Sequence, residues 1–384
     1  MSAPEPATVQ PQPTPQRLMS LDVFRGVTVA AMILVNNPGN SSAYWPLKHI
    51  DWNGWTPTDL VFPFFLFIVG VSLVYSFQSR VSKGESRGFL MKHVVRRTAI
   101  IFGIGLALNG FPYYHLSTLR IAGVLQRIAL CYLFAAILTL YAGTRTRIAA
   151  IVALLAGYWF LMTHVSVPGY GLPGRDIPVL DPDANLTAYI DRWLMSGHLY
   201  EGTRDPEGLL STLPAIATAL FGVLTGEWLR TSRSRLSRCG WMLGAGVLLI
   251  VAGKTWGIWF PINKKLWTSS YVLFVAGAAL VGLALCYWLL DVRNWRGKWT
   301  QPALVFGTNA IAAYTLSELL AIMGWSFHIS SSAGPVSWQT WVYNSLFGHI
   351  PNEPFASLVY SLSFVLVCYL AVWMLYRKRI FIKI

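Results

Sequence analysis

Ten apolar blocks punctuate the chain, near residues 20–36, 57–79, 94–112, 121–142, 148–165, 209–229, 239–259, 267–290, 303–324 and 355–376. Each is close to the roughly 20-residue length that crosses a bilayer as a helix. Helix is the predicted state, because lipid offers backbone groups no partners and the blocks are too long for barrel strands. The pattern predicts an all-α, polytopic membrane helix bundle of about ten transmembrane helices. It occupies residues 17–384 as one transmembrane domain. Residues 1–16 (MSAPEPATVQPQPTPQ) hold five prolines and no apolar run, and read as a disordered Pro-rich tail rather than a signal peptide.

Charge placement sets the orientation. One set of alternate loops holds Arg17, then six cations over 80–97, Arg145 and Arg147, four over 230–238, three over 293–298 and four over 377–383. The other set holds Lys48, Arg120, Arg175, Arg192, Arg204, Lys254, Lys264 and Lys265, while Arg25 and Arg127 fall within blocks. By the positive-inside rule both termini are expected in the cytoplasm. Only 12% of the chain is charged against about 25% for a soluble domain, too few to coat a soluble surface. The net charge of +14 sits in short clusters between apolar blocks, which fits topology and excludes a nucleic-acid-binding face. Trp and Tyr, 17 of each, suit the lipid–water boundary.

Cys131, Cys239, Cys286 and Cys368 are widely spaced and read as small hydrophobes, with neither a disulfide framework nor a metal site. No histidine pair has metal-ligand spacing on one helix, so no metal is expected. The longest outer loops are 166–208 and the aromatic 325–354, the latter a candidate cap or re-entrant turn. No internal repeat supports an inverted-repeat transporter.

Ionisable groups at bilayer depth are costly and point to function. In SLDVFRG, Asp22 and Arg25 are three apart and share a helix face. They form either an ion pair at the helix start or a site where Arg25 meets a phosphate-bearing donor. The outer segment 36–59 gathers Asn36, Asn37, His49, Asp51, Asn53 and Asp59. A histidine is the usual general base near neutral pH; the alternative is an interfacial loop with Asp59 capping the next helix. LRIAGVLQRIALCYL spaces Arg120 and Arg127 seven apart, on one predicted helix face, with Gln126 adjacent. Arg127 then needs a carboxylate such as Glu318, carbonyls or a ligand. RDPEGLLST reads as a helix start with Asp205 as N-cap, Pro206 at the first position and Glu207 in the first turn, or as a sugar-binding carboxylate pair. FGTNAIAAYTLSELL carries Asn309, Ser317 and Glu318, read most simply as interhelical hydrogen bonding.

The stretches RLMSLDVFRGVTVAAMILVNN, WPLKHIDWNGWTPTDLVFPFFLFIVGVSL, LRIAGVLQRIALCYL, DPEGLLSTLPAIATALFGVLTGEWL, LWTSSYVLF and FGTNAIAAY occur in this order. Together they resemble the heparan-α-glucosaminide N-acetyltransferase family, including its bacterial members, from about residue 17 to the end. The resemblance implies a multi-pass protein of a bacterial inner membrane that moves acetyl from cytoplasmic acetyl-CoA to the amine of a terminal glucosamine on the far side. It implies a homodimer, and places the catalytic histidine on His49 and a functional asparagine on Asn36. The lysosomal members carry an extra N-terminal luminal region where this chain has its Pro-rich tail. A small amino sugar or cell-wall fragment therefore stands beside a glycosaminoglycan as candidate acceptor. An amino-sugar transporter and an O-acyltransferase of surface polysaccharide are the alternatives.

Acetyl transfer requires the amine to lose a proton, the thioester oxygen to be stabilised and the thiolate to leave. His49 is the candidate base, or carries the acetyl group itself. Asn36 is the candidate oxyanion donor, and Asp59 or Asp51 orients the imidazole. Arg25, Arg96, Arg97, Gln126 and Arg127 are candidate contacts for CoA. Asp51, Trp52, Asn53, Asp205, Glu207 and Glu318 are candidate contacts for the acceptor.

Overall fold

The structure is a computed structural model that describes residues 18–331 and 334–382. The Pro-rich tail and Arg17 lie outside the described residues. Helices are α1 (Met19–Asn36), α2 (Val61–Val81), α3 (Arg87–Gly110), α4 (Val124–Tyr141), α5 (Thr144–His164), α6 (Leu186–Met195), α7 (Thr212–Leu229), α8 (Arg235–Trp256) and α9 (Ser269–Tyr287). There follow α10 (Gln301–Thr308), α11 (Ala310–Ser326), α12 (Trp338–Leu346) and α13 (Glu353–Arg377). All ten apolar blocks are helical. Among the described residues eight helices are long and apolar enough to cross a membrane, and nine if one bent pair counts as a single span.

Two blocks differ from continuous apolar spans, each for a physical reason. The block at 303–324 bends by 76° between α10 and α11. The bend falls at Asn309, whose amide donates to the Ile380 carbonyl (3.1 Å) while its carbonyl oxygen accepts the Ile382 N–H (2.8 Å). The block at 94–112 becomes α3, which is 24 residues long but carries Arg87, Lys92, Arg96 and Arg97 in its first three turns.

Small residues let the central helices approach closely, the usual source of helix association in lipid. A Cβ on Gly70 of α2 would fall on the Ala219 carbonyl oxygen of α7, and one on Gly222 would fall on that of Phe67. Between α1 and α10, Gly26 and Gly307 face the carbonyls of Ala303 and Asp22 in the same way. The core holds Trp267, Arg127, Tyr158, Tyr271 and Tyr287, all nearly inaccessible. By contrast α8 and α13 present Leu248, Val251, Leu366 and Val367 outward, as lipid-facing helices do.

The bundle has two chemically distinct ends. At one end the Asp291 carboxylate accepts the Ser20 N–H (3.2 Å) and pairs with Arg296 (3.1 Å), while Arg235 donates to the Asp291 carbonyl. There too Arg147 donates to the Leu138, Thr139 and Ala142 carbonyls that close α4, and pairs with Glu227. A cation at a helix C-terminus satisfies its last carbonyls. The opposite end is built from 37–60, 111–123, 165–211, 257–268 and 327–352. The aromatic 325–354 segment there folds as a hairpin, β1 (His328–Ser331) against β2 (Gly334–Ser337), followed by α12. The hairpin is the one departure from helix among the named elements.

Candidate functional site

The segment 44–60 is folded on itself before α2 begins. Thr56 and Asp59 form a reciprocal capping box around the short 3-10 turn Pro57–Leu60. Asp59 Oδ2 accepts the N–H groups of Ile50 (3.1 Å) and Thr56 (3.0 Å) and the Thr56 hydroxyl (3.0 Å). Its side chain is fully buried, and Oδ1 is left pointing at His49 Nδ1, 2.7 Å away. A carboxylate can only accept, so Nδ1 carries the proton and Nε2 keeps its lone pair. His49 itself is 43% exposed, open to a substrate. Capping and imidazole orientation were alternative roles for Asp59, and the two oxygens serve both.

The sequence reading did not single out Lys264. Its Nζ lies 2.9 Å from His49 Nδ1, 3.4 Å from Nε2 and 3.5 Å from Asp59 Oδ1. Lys264 arrives on the 257–268 turn, which is pinned to the His49 segment by the Gly54 N–H on the Ile262 carbonyl (2.7 Å) and Asn263 on Asn53 (3.1 Å). The signal was present in the charge count: Lys264 and Lys265 are adjacent cations on the cation-poor side.

The other outer candidates assemble around the same end. Asp205 is not the N-cap expected, because α7 starts seven residues later at Thr212. Arg120 instead takes both Asp205 oxygens (2.8 and 2.7 Å) and Glu207 (2.6 Å) and lies over the Tyr200 ring. Paired with two carboxylates, the Arg120 guanidinium is held more firmly charged than usual, although burial opposes it. Glu207 is near enough for its charge to act on both Lys264 and Glu318. Glu318 in turn bonds with Tyr314 and with Asn36 at the open end of α1. Trp52 donates to the Leu180 carbonyl (2.8 Å) and is flanked by Arg204 and Lys265. Asn53 holds Asn263, and Asp51 is exposed.

Arg127 and Gln126 sit elsewhere. Arg120 precedes α4, so it and Arg127 do not share the helix face their spacing predicted. Arg127 is 1% exposed, donates to the Gly208 carbonyl (3.1 Å) and the Ser211 hydroxyl, and lies over Trp267. Its partners are carbonyl and hydroxyl, not Glu318. Gln126 is buried against Gly105 and Gly123.

Arg25, Arg96 and Arg97 open onto a cavity of about 740 Å³ at the basic end, together with Arg80 and His93. The volume lies within the usual range of small-molecule sites. Arg25 is anchored by Asp22 (3.1 Å), the Gly307 carbonyl (3.0 Å) and Ser72 (2.9 Å), and Arg97 lies over Tyr132. The cavity wall includes Arg80 and Phe65, fifteen residues apart on α2 or about 22 Å by helical rise. Phe65 is six residues beyond Asp59, so one helix runs from the basic mouth toward the His49 pair. Among the described residues no cluster of three His, Cys, Asp or Glu side chains has metal-binding geometry.

These features define a multi-pass helical membrane protein with a cationic cavity at one end and a histidine–carboxylate site at the other. The sequence profile of the family described as heparan-alpha-glucosaminide N-acetyltransferase, catalytic, matches residues 17–258. The chain belongs to that family. It is 31% identical to the human heparan-alpha-glucosaminide N-acetyltransferase, over 99% of this chain and 62% of the relative. To the mouse protein of the same name it is also 31% identical, over 96% of this chain and 60% of the relative. The chain thus spans about three-fifths of the length of these curated relatives.

Proposed function

We propose that the protein is a membrane-embedded N-acetyltransferase that takes acetyl from acetyl-CoA on the cytoplasmic side and passes it to the amine of a glucosamine-type acceptor on the outer side. One observation carries this reading. A general-base pair, His49–Asp59, and a cationic cavity lie at opposite ends of the molecule and are joined along α2. The basic loops around the cavity support a cytoplasmic location for that end and for both termini.

In this scheme Arg25, Arg96 and Arg97 hold the CoA phosphates at the mouth, and the pantetheine arm extends inward along α2 toward Phe65. The acceptor enters from the outer end, where Glu207, Glu318, Trp52, Asn53 and Asp205 shape its site. His49 Nε2 takes a proton from the amine as nitrogen attacks the thioester carbonyl. The C–N bond forms, the C–S bond breaks, and the proton passes to the departing thiolate. Asn36 donates to the oxygen that bears the developing charge.

The test is acetyl transfer from labelled acetyl-CoA to glucosamine by purified protein in liposomes. His49→Ala is expected to abolish transfer while leaving CoA binding intact; wild-type turnover in that variant rejects the assignment. Sugar flux without thioester consumption supports a transporter instead. Parallel initial-rate lines indicate a covalent acetyl-enzyme, the route in which His49 carries the acetyl group rather than acting as the base.

A further inference from the structure

Two charged groups reach His49 from different elements, and a third acts on one of them. Asp59 enters from the start of the α2 span, Lys264 from the 257–268 turn, and Glu207 from the 205–211 segment close to Lys264. Lys48 and Asp51 flank His49 along the chain. The remaining charges are spoken for: Lys265 pairs with Glu201 at 2.8 Å and Arg120 with Glu207 at 2.6 Å.

A carboxylate 2.7 Å from Nδ1 favours the imidazolium form. A base pre-charged in that way has no lone pair to offer. The ammonium of Lys264 lies 2.9 and 3.4 Å from the two ring nitrogens and 3.5 Å from Asp59 Oδ1. Protonating His49 would then place two adjacent positive charges against one buried carboxylate, which a poorly solvated site resists. Lys264 is thus a second cationic partner that shares the Asp59 carboxylate with the imidazole.

We propose that Lys264 is a positioning residue that keeps His49 deprotonated, so that Nε2 remains a competent base in mildly acidic surroundings. This deepens the reading of His49 as the base and rests on it. Burial pushes Lys264 toward deprotonation, and Asp59 and Glu207 act to keep its charge. The charge of Lys264 is therefore tied to the same carboxylate that orients the imidazole.

The experiment follows His49 in detergent-solubilised full-length protein by its reaction with diethylpyrocarbonate, which modifies an imidazole only in its neutral form, with mass spectrometry to read the site. The pH midpoint of modification is compared with the acid limb of kcat in wild type, Lys264→Met and Lys264→Arg. Lys264→Met is expected to raise both midpoints by about one pH unit or more, and Lys264→Arg is expected to restore them. An unmoved chemical midpoint in folded Lys264→Met overturns the proposal, as does an equal shift in Lys264→Arg. Turnover that survives His49→Ala overturns the base reading itself. The chemical midpoint needs no turnover, so an inactive variant still decides the question.

Discussion

The Oδ1 atom of Asp59 lies 2.7 Å from Nδ1 of His49, while its other oxygen is saturated by two backbone N–H groups and a hydroxyl. The carboxylate cannot rotate without breaking the capping box, so the imidazole is held in one orientation and one tautomer. Asp59→Asn allows an amide N–H to face Nδ1, which puts the proton on Nε2 and removes the base. Turnover is expected to fall roughly 10²–10⁴-fold, with the KM for acetyl-CoA little changed. Initial rates on the purified variant check this; a large rise in KM with normal kcat counts against it.

Arg96 and Arg97 line the cavity at the basic end, and among the described residues neither forms an ion pair with an acidic side chain. Replacing either with Ala is expected to raise the KM for acetyl-CoA about tenfold or more, the equivalent of losing a charge-assisted hydrogen bond of about 1.5–3 kcal/mol. The effect should shrink with dephospho-CoA if the contact is to the 3′-phosphate. Isothermal titration with CoA measures it without the acceptor.

Arg127 is walled in by Gly208, Ser211 and Trp267 and does not line the cavity. Arg127→Ala should cost about 3 kcal/mol or more through the lost volume and unpaired polar groups. The CoA affinity of the folded fraction should stay near wild type. Thermal melts and CoA titration on one preparation separate the two effects; loss of CoA binding at unchanged stability returns Arg127 to the donor site.

Asp191 in α6 is fully buried, and among the described residues its carboxylate accepts only the Leu209 N–H (3.0 Å). Burial pushes its carboxyl up to about 6, with Asp205 adding to the effect and Arg127 opposing it. A carboxyl raised in the folded state binds its proton more tightly there than in the unfolded chain. Its contribution to stability is therefore greatest below the ordinary carboxylate range and declines as pH rises through about 6. Asp191→Asn keeps the acceptor oxygen and removes the charge. It should flatten this part of the stability–pH curve and stabilise the protein near pH 7 by up to about 3 kcal/mol. Melting temperatures between pH 4.5 and 7.5 test it; a decline with rising pH that persists unchanged in Asp191→Asn refutes the assignment.

Gly70 and Gly222 allow α2 and α7 to meet backbone to backbone. Gly222→Val has no space to occupy without prying the helices apart, at an expected cost of about 1–3 kcal/mol or more. Because α2 also carries the cavity wall and leads from Asp59, activity should fall along with stability. Gly244→Ala, where an added Cβ meets nothing, is the matched control and should melt like wild type.

The order of apolar blocks, their helical state and the two-sided charge bias follow from composition and spacing alone, because lipid forces backbone groups to pair within each segment. The Asp22–Arg25 pair and the cap by Asp59 were legible for the same reason, being contacts between near neighbours in the chain. Side chains far apart in sequence were not. Arg120 reaches Asp205 across 85 residues, and Lys264 reaches His49 across 215. Nor did local grammar reveal that DPEG is a turn before α7, in which Asp205 accepts the Glu207 and Tyr200 N–H groups as well as Arg120. Periodicity likewise placed Arg127 on a helix but not beside Gly208. Local sequence specifies which residues are costly to leave in lipid; only the packing of separate helices decides which partner relieves that cost, because each partner is selected by proximity in three dimensions.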